Sequence, residues 1–149
     1  TTGENSSFNF NKNGSYSNGI LLKFIPLDST TLDSIANAIS TKRLYVALEN
    51  SQLIENAELI KYTQLLKQFL DKKPSKTIDI TGHTNNNGYF ENNLIIGKNK
   101  ATKLKEYFIN SGITKNEIHT FSRGEAEPIA NKYTEEGKLL NSRIEIRIK

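Results

Sequence analysis

Residues Gly82 to Ala101 read GHTNNNGYFENNLIIGKNKA, and the fold turns on what this stretch is. One histidine, one threonine and three consecutive asparagines separate a segment patterned like a strand from one patterned like a helix. Upstream, KTIDITGHT sets Ile78 and Ile80 on one side and Thr77, Asp79 and Thr81 on the other, as a strand with one buried face does. Gly82 is expected to end it. Downstream, Ile96, Lys100, Ala101, Leu104 and Phe108 recur at the spacing of one helical face, with Asn93 expected as N-cap and Gly112 as the residue just past the end. Taken alone, Asn85 to Gly88 reads as a solvated turn, because Asn and Gly both tolerate left-handed backbone.

Outward from there the same alternation of elements continues. RLYVAL, Arg43 to Leu48, is a strand, and the following ENAELIKYTQLLKQFLDKK carries Leu59, Thr63, Leu66 and Leu70 in helical register until Pro74 breaks it. Ile118 to Ser122 is extended, with a brief capping box at Thr114 and Glu117 before it, and SRIEIRIK closes the chain as an amphipathic strand of alternating isoleucines. From Arg43 the order is β-α-β-α-β-β, an α+β two-layer sandwich whose helices cover one face of a mixed sheet. Ahead of it, GILLKFIPL and STTLDSIANAIS read as an N-terminal strand-helix extension over residues 20–42. Residues 1–19 are dominated by Asn, Ser, Gly and Thr and read as a flexible leader or tether, with a short hairpin around Phe8, Phe10 and Asn13-Gly14 as an option for the main sheet.

Composition bounds the function. The 149 residues suit one domain, 36% hydrophobic and 24% charged, with no Cys, Met or Trp, so the core rests on Ile, Leu, Phe and Tyr. Without cysteine there is no disulfide framework and no thiolate metal site or nucleophile. The net charge of +4 is scattered among acids rather than gathered in a basic run, which argues against a nucleic-acid partner. No stretch approaches the roughly 20 apolar residues of a transmembrane helix. No serine sits in an elbow motif and His83 and His119 show no acid-base partnership, so no enzyme is expected.

Several spaced residues resemble the OmpA-like domain of peptidoglycan-associated lipoproteins, porin tails and flagellar stators. The pattern there runs Gly-His-Thr-Asp, two residues, Gly, four residues, Asn, two residues, Leu-Ser, two residues, Arg-Ala, and ends in Asn-Arg-Arg-Val-Glu-Ile. Here Gly82-His83-Thr84, Gly88, Asn93, Ile96 and Lys100-Ala101 keep that spacing without a gap, and Asn141-Ser142-Arg143-Ile144-Glu145-Ile146 closes the chain. LYVALEN resembles the family's opening strand, with Asn50 at its usual asparagine, so the resemblance covers residues 43–149.

The resemblance implies a non-catalytic domain, without cofactor or metal, that holds the zwitterionic end of a diaminopimelate-containing stem peptide in peptidoglycan. It also implies a periplasmic, outer-membrane-associated place in a bacterial cell envelope. In that family the Asp takes the ammonium and the Arg of Arg-Ala the carboxylate, each through a charge-assisted hydrogen bond. This chain departs at three positions: Asn85 for the Asp, Lys100 for the Arg and Ser142 for the first Arg of the closing motif. Asn85 keeps an acceptor oxygen without a charge, and Lys100 keeps a charge without the planar fork. Thr84, Asn93, Asn50 and Arg143 stand where the family's neighbouring polar residues do.

The expected outcome is a clasp that binds the wall about ten- to a hundredfold more weakly, or one that now docks other envelope proteins. The simpler alternatives are a hydrogen-bonded structural role for His83, a solvated face for the lysines around Lys100, and cross-strand charge pairs for Arg143, Glu145 and Arg147.

Overall fold

The structure, a computed structural model, describes residues 14–17, 20–23 and 29–149. It divides into two compact units, one through Leu32 and one from Asp33 to Lys149. In the first, β1 (Gly14–Ser17) pairs antiparallel with β2 (Ile20–Lys23) as a two-stranded sheet of their own. Phe8, Phe10 and Asn13 lie outside the described residues. Helix α1 (Ser29–Ile39) follows, with Ile35 and Ile39 buried.

A four-stranded mixed sheet organises the second unit, in the order β3 (Thr41–Leu44), β8 (Ile144–Ile148), β6 (Ile78–His83), β7 (Ile118–Gly124). The β3–β8 and β8–β6 pairs are antiparallel, and β6–β7 is parallel. A parallel neighbour needs a crossover, and α3 (Phe90–Asn110) supplies it. Its close packing depends on glycine. A Cβ on Gly82 would overlap the carbonyl of Gly97, so strand and helix touch backbone to backbone there.

That contact also decides which face of α3 is buried. Asn93, Gly97, Ala101, Leu104 and Phe108 face the sheet, while Ile96, expected on that face, is exposed. Helix α2 (Ala57–Lys72) buries Leu59, Thr63, Leu66 and Leu70 as its periodicity predicts, begins at Asn56, whose Oδ1 accepts from Leu59 N at 2.8 Å, and stops ahead of Pro74. Ile78, Ile80, Ile144 and Ile146 complete the core from the sheet side.

The α+β class and the mixed sheet are as expected, and four local details differ. RLYVAL is not one strand: β3 ends at Leu44, and Ala47–Glu49 (β4) forms a hairpin with Gln52–Ile54 (β5). Asn50 and Ser51 turn that hairpin with φ of 50° and 64°, the positive values that a tight two-residue turn demands. Asn93 is not an N-cap, because α3 starts at Phe90 after Tyr89. Thr114 and Glu117 start no helix; Asn116 instead donates to the carbonyls of Lys73 and Lys76. A further helix, α4 (Glu135–Asn141), is capped by Thr134, whose Oγ1 accepts from Gly137 N at 3.0 Å. Gly112 does end α3, with φ of 104° and Ile113 N bonded back to Phe108 O at 3.0 Å.

Candidate functional site

The end of β6 is clamped from both sides. His83 N donates to Arg143 O and Thr84 N to Gly124 O, each at 2.8 Å, so the strand passes Gly82 and delivers residues 84–88 between the start of β8 and the end of β7. The Gly82↔Ile144 pairing, carried two residues further, brings Thr84 beside Ser142. The loop then folds on itself. Asn85 Oδ1 accepts from Asn87 N at 2.9 Å, Thr84 Oγ1 donates to Asn85 O at 2.8 Å, and Gly88 takes φ of 82° before α3 begins.

On the helix side, Lys100 Nζ donates to Ser142 Oγ at 2.5 Å. Lys100 is half-buried, and burial holds its pKa below the ordinary lysine value. Asn93 is 1% exposed and donates from Nδ2 to Glu125 Oε1 at 2.6 Å, and its Oδ1 lies beneath Gly88. Thr84, Lys100 and Ser142 thus gather at the end of β6, with Asn85 next to them in the loop and Asn93 and Glu125 on the β7 side. Asn50 is elsewhere in contact terms: it sits exposed in the β4–β5 turn, and no hydrogen bond joins it to the others among the described residues.

Arg143 is 3% exposed, so it does not serve as an exposed cross-strand partner. Its guanidinium donates to Asn141 O and Glu127 O, each at 3.0 Å, and to Glu145 Oε2 at 2.7 Å. Asn141 Oδ1 accepts from Ile129 N and Ala130 N. These two residues hold the chain between β7 and α4 and thereby fix Ser142. Their part in the site is support from beneath.

Two further residues were not legible in the spacing. Asn86 Oδ1 is buried with no donor among the described residues. Glu125 is half-buried, and its carboxylate has no cationic partner among the described residues. An acidic residue just past the glycine that ends β7 was visible in the sequence; its pairing with Asn93 was not.

His83 also differs from expectation. It is 1% exposed, yet neither ring nitrogen has a hydrogen-bond partner among the described residues, and Nε2 stands 3.6 Å from Glu145 Oε1. Burial and the Arg143 charge push its pKa below the ordinary imidazole value. His83 lines a cleft of 320 Å³ on the sheet face away from α3, with Asp79, Phe121 and Arg123. His119 Nδ1 meets Asp79 Oδ1 at 3.2 Å on that face, a partnership hidden by 40 residues of sequence and explained by the β6–β7 register. Among the described residues no three His, Cys, Asp or Glu side chains are placed to hold a metal, and no helix is long and apolar enough to cross a membrane.

A cation and several amide side chains therefore lie at the end of β6 in a two-layer α+β domain. Residues 49–142 match the OmpA family model, more than half of the chain, and the chain belongs to that family. It is 36% identical over 73 residues to outer membrane protein A of Bordetella avium, across 49% of this chain and 38% of that protein. To the peptidoglycan-associated lipoprotein of Buchnera aphidicola it is 30% identical over 100 residues, across 67% of this chain and 57% of the relative. In each case the match spans well under two thirds of the relative's length. Among solved structures, the peptidoglycan-associated lipoprotein of Burkholderia pseudomallei superposes with a TM-score of 0.64 at 21% identity, covering 72% of this chain and 90% of that one. The relatives it matches are named as outer-membrane and peptidoglycan-associated proteins.

Proposed function

We propose that this chain is a non-catalytic peptidoglycan-binding domain that holds the diaminopimelate-bearing end of a stem peptide and ties the outer membrane to the cell wall. The observation that carries it is the Lys100–Ser142 pair at the end of β6. A half-desolvated ammonium, already oriented by a hydroxyl, lies next to the Asn85–Gly88 loop in a chain of the OmpA family. Lys100 and Ser142 present donors to the ligand carboxylate, and Asn85 presents an acceptor to its nitrogen. Co-sedimentation with purified sacculi tests this. The native chain is expected to pellet with the wall and Lys100→Ala to stay in the supernatant; absence of wall binding by the native chain at any ionic strength contradicts it.

A second use of the same fold is favoured by the neutral residues Asn85 and Ser142 and by exposed Tyr89 and Ile95 at the start of α3. In that case the domain docks another envelope protein. Its signature is that Asn85→Asp, Lys100→Arg and Ser142→Arg together create wall binding where the native chain has none.

A further inference from the structure

We infer that Glu125 supplies the negative pole of the ligand site, replacing from β7 the carboxylate missing at position 85. This rests on the peptide-binding function proposed above and names the residue that sets its preference for a free amine.

Three observations lead to it. Glu125 follows Gly124, whose carbonyl receives Thr84 N, so its backbone lies one strand away from the loop. Asn93 Nδ2 grips one of its carboxylate oxygens at 2.6 Å, and the other has no hydrogen bond among the described residues. The nearby cation in sequence is already engaged, because Arg123 pairs with Glu127 at 3.5 Å. Glu125 is therefore a half-buried, oriented anion with nothing to neutralise it among the described residues. Such a group attracts a cation from outside.

The two charges are set out along α3. Asn93 and Lys100 are seven residues apart on α3, which is two turns and about 10 Å along the helix. The Glu125 carboxylate is held at the first and the Ser142 hydroxyl at the second. Gly88 lies over the Asn93 amide oxygen, so the Asn85–Gly88 loop stands at the Asn93 end. A ligand carboxylate goes to Lys100 and Ser142, and its ammonium to Glu125.

The test is a calorimetric titration of the folded chain with a stem peptide ending in diaminopimelate, and with the same peptide acetylated on that amine. Glu125→Gln is the chosen variant because Gln keeps the oxygen that Asn93 bonds and loses only the charge. The native chain is expected to prefer the free amine about tenfold, and Glu125→Gln to bind both forms alike. Adding Asn85→Asp to Glu125→Gln should bring the preference back. If Glu125→Gln keeps the native preference, Glu125 is not the pole although the peptide-binding function stands. If the native chain binds neither peptide, that function falls and this inference falls with it.

Discussion

Lys100 Nζ and Ser142 Oγ, 42 residues apart in sequence, are joined at 2.5 Å across the end of β6. The contact joins two of the three positions where this chain departs from its family's pattern. Lys100 offers Ser142 a single point donor in place of arginine's planar fork.

The lowered Lys100 pKa has a consequence for binding. The site needs the ammonium, so affinity for the wall is expected to fall as pH rises, beginning below the ordinary lysine range. Lys100→Arg, which stays charged, should flatten that profile. Wall co-sedimentation across alkaline pH reads both. Burial penalises the charge in the fold, so stability moves the other way and rises slightly as Lys100 loses its proton.

Arg143 anchors the floor of the site. Removing a guanidinium that is 3% exposed leaves the carbonyls of Asn141 and Glu127 and the Glu145 carboxylate without their donor. Arg143→Ala is expected to cost about 3 kcal/mol in urea unfolding, whereas Arg147→Ala, at an exposed position on β8, should cost under about 0.5 kcal/mol.

Acid should act in two stages. His83 is held below its ordinary pKa of 6.5 by burial and by Arg143, so the stability it contributes is present above that value and is lost as pH falls through the folded pKa. Burial alone would raise Glu145, but the Arg143 hydrogen bond and charge outweigh it and leave the carboxyl below 4.5. Asp79 is likewise lowered below 3.8, the hydrogen bonds from Lys149 and His119 overcoming burial. Their stability is present above the unfolded carboxylate values and lost as pH falls through the folded ones. Melting temperatures should thus decline first below the imidazole range and again in the carboxylate range, and His83→Gln should remove only the first decline.

Gly82→Ala is expected to prevent α3 from seating, because the new methyl meets the Gly97 backbone and not a movable side chain. A loss of more than about 3 kcal/mol, or no folded protein, is the expected outcome by circular dichroism.

The strands and long helices were legible because each has one buried face, and the isoleucines of β6 and β8 and the leucines of α2 display it directly. RLYVAL misled because apolar residues run on through a chain that leaves the sheet after Leu44. Helix α4 carried real signals, Thr134 as cap, Glu135 and Glu136 in the first turn and Lys138 in the last, but only seven residues in which to show a period. At the site, spacing alone picked out Lys100 and Ser142. It missed Glu125, and it offered Arg143 as a ligand-binding or cross-strand charge partner without showing its burial, because burial and partners across strands are set by register rather than by sequence distance.

Amide chemical shifts during titration with a diaminopimelate stem peptide test the central claim most directly. Saturable shifts at Thr84 to Asn87, Lys100 and Ser142 are predicted. An unchanged spectrum, or shifts confined to Phe121 and Arg123 in the cleft on the other sheet face, would contradict it.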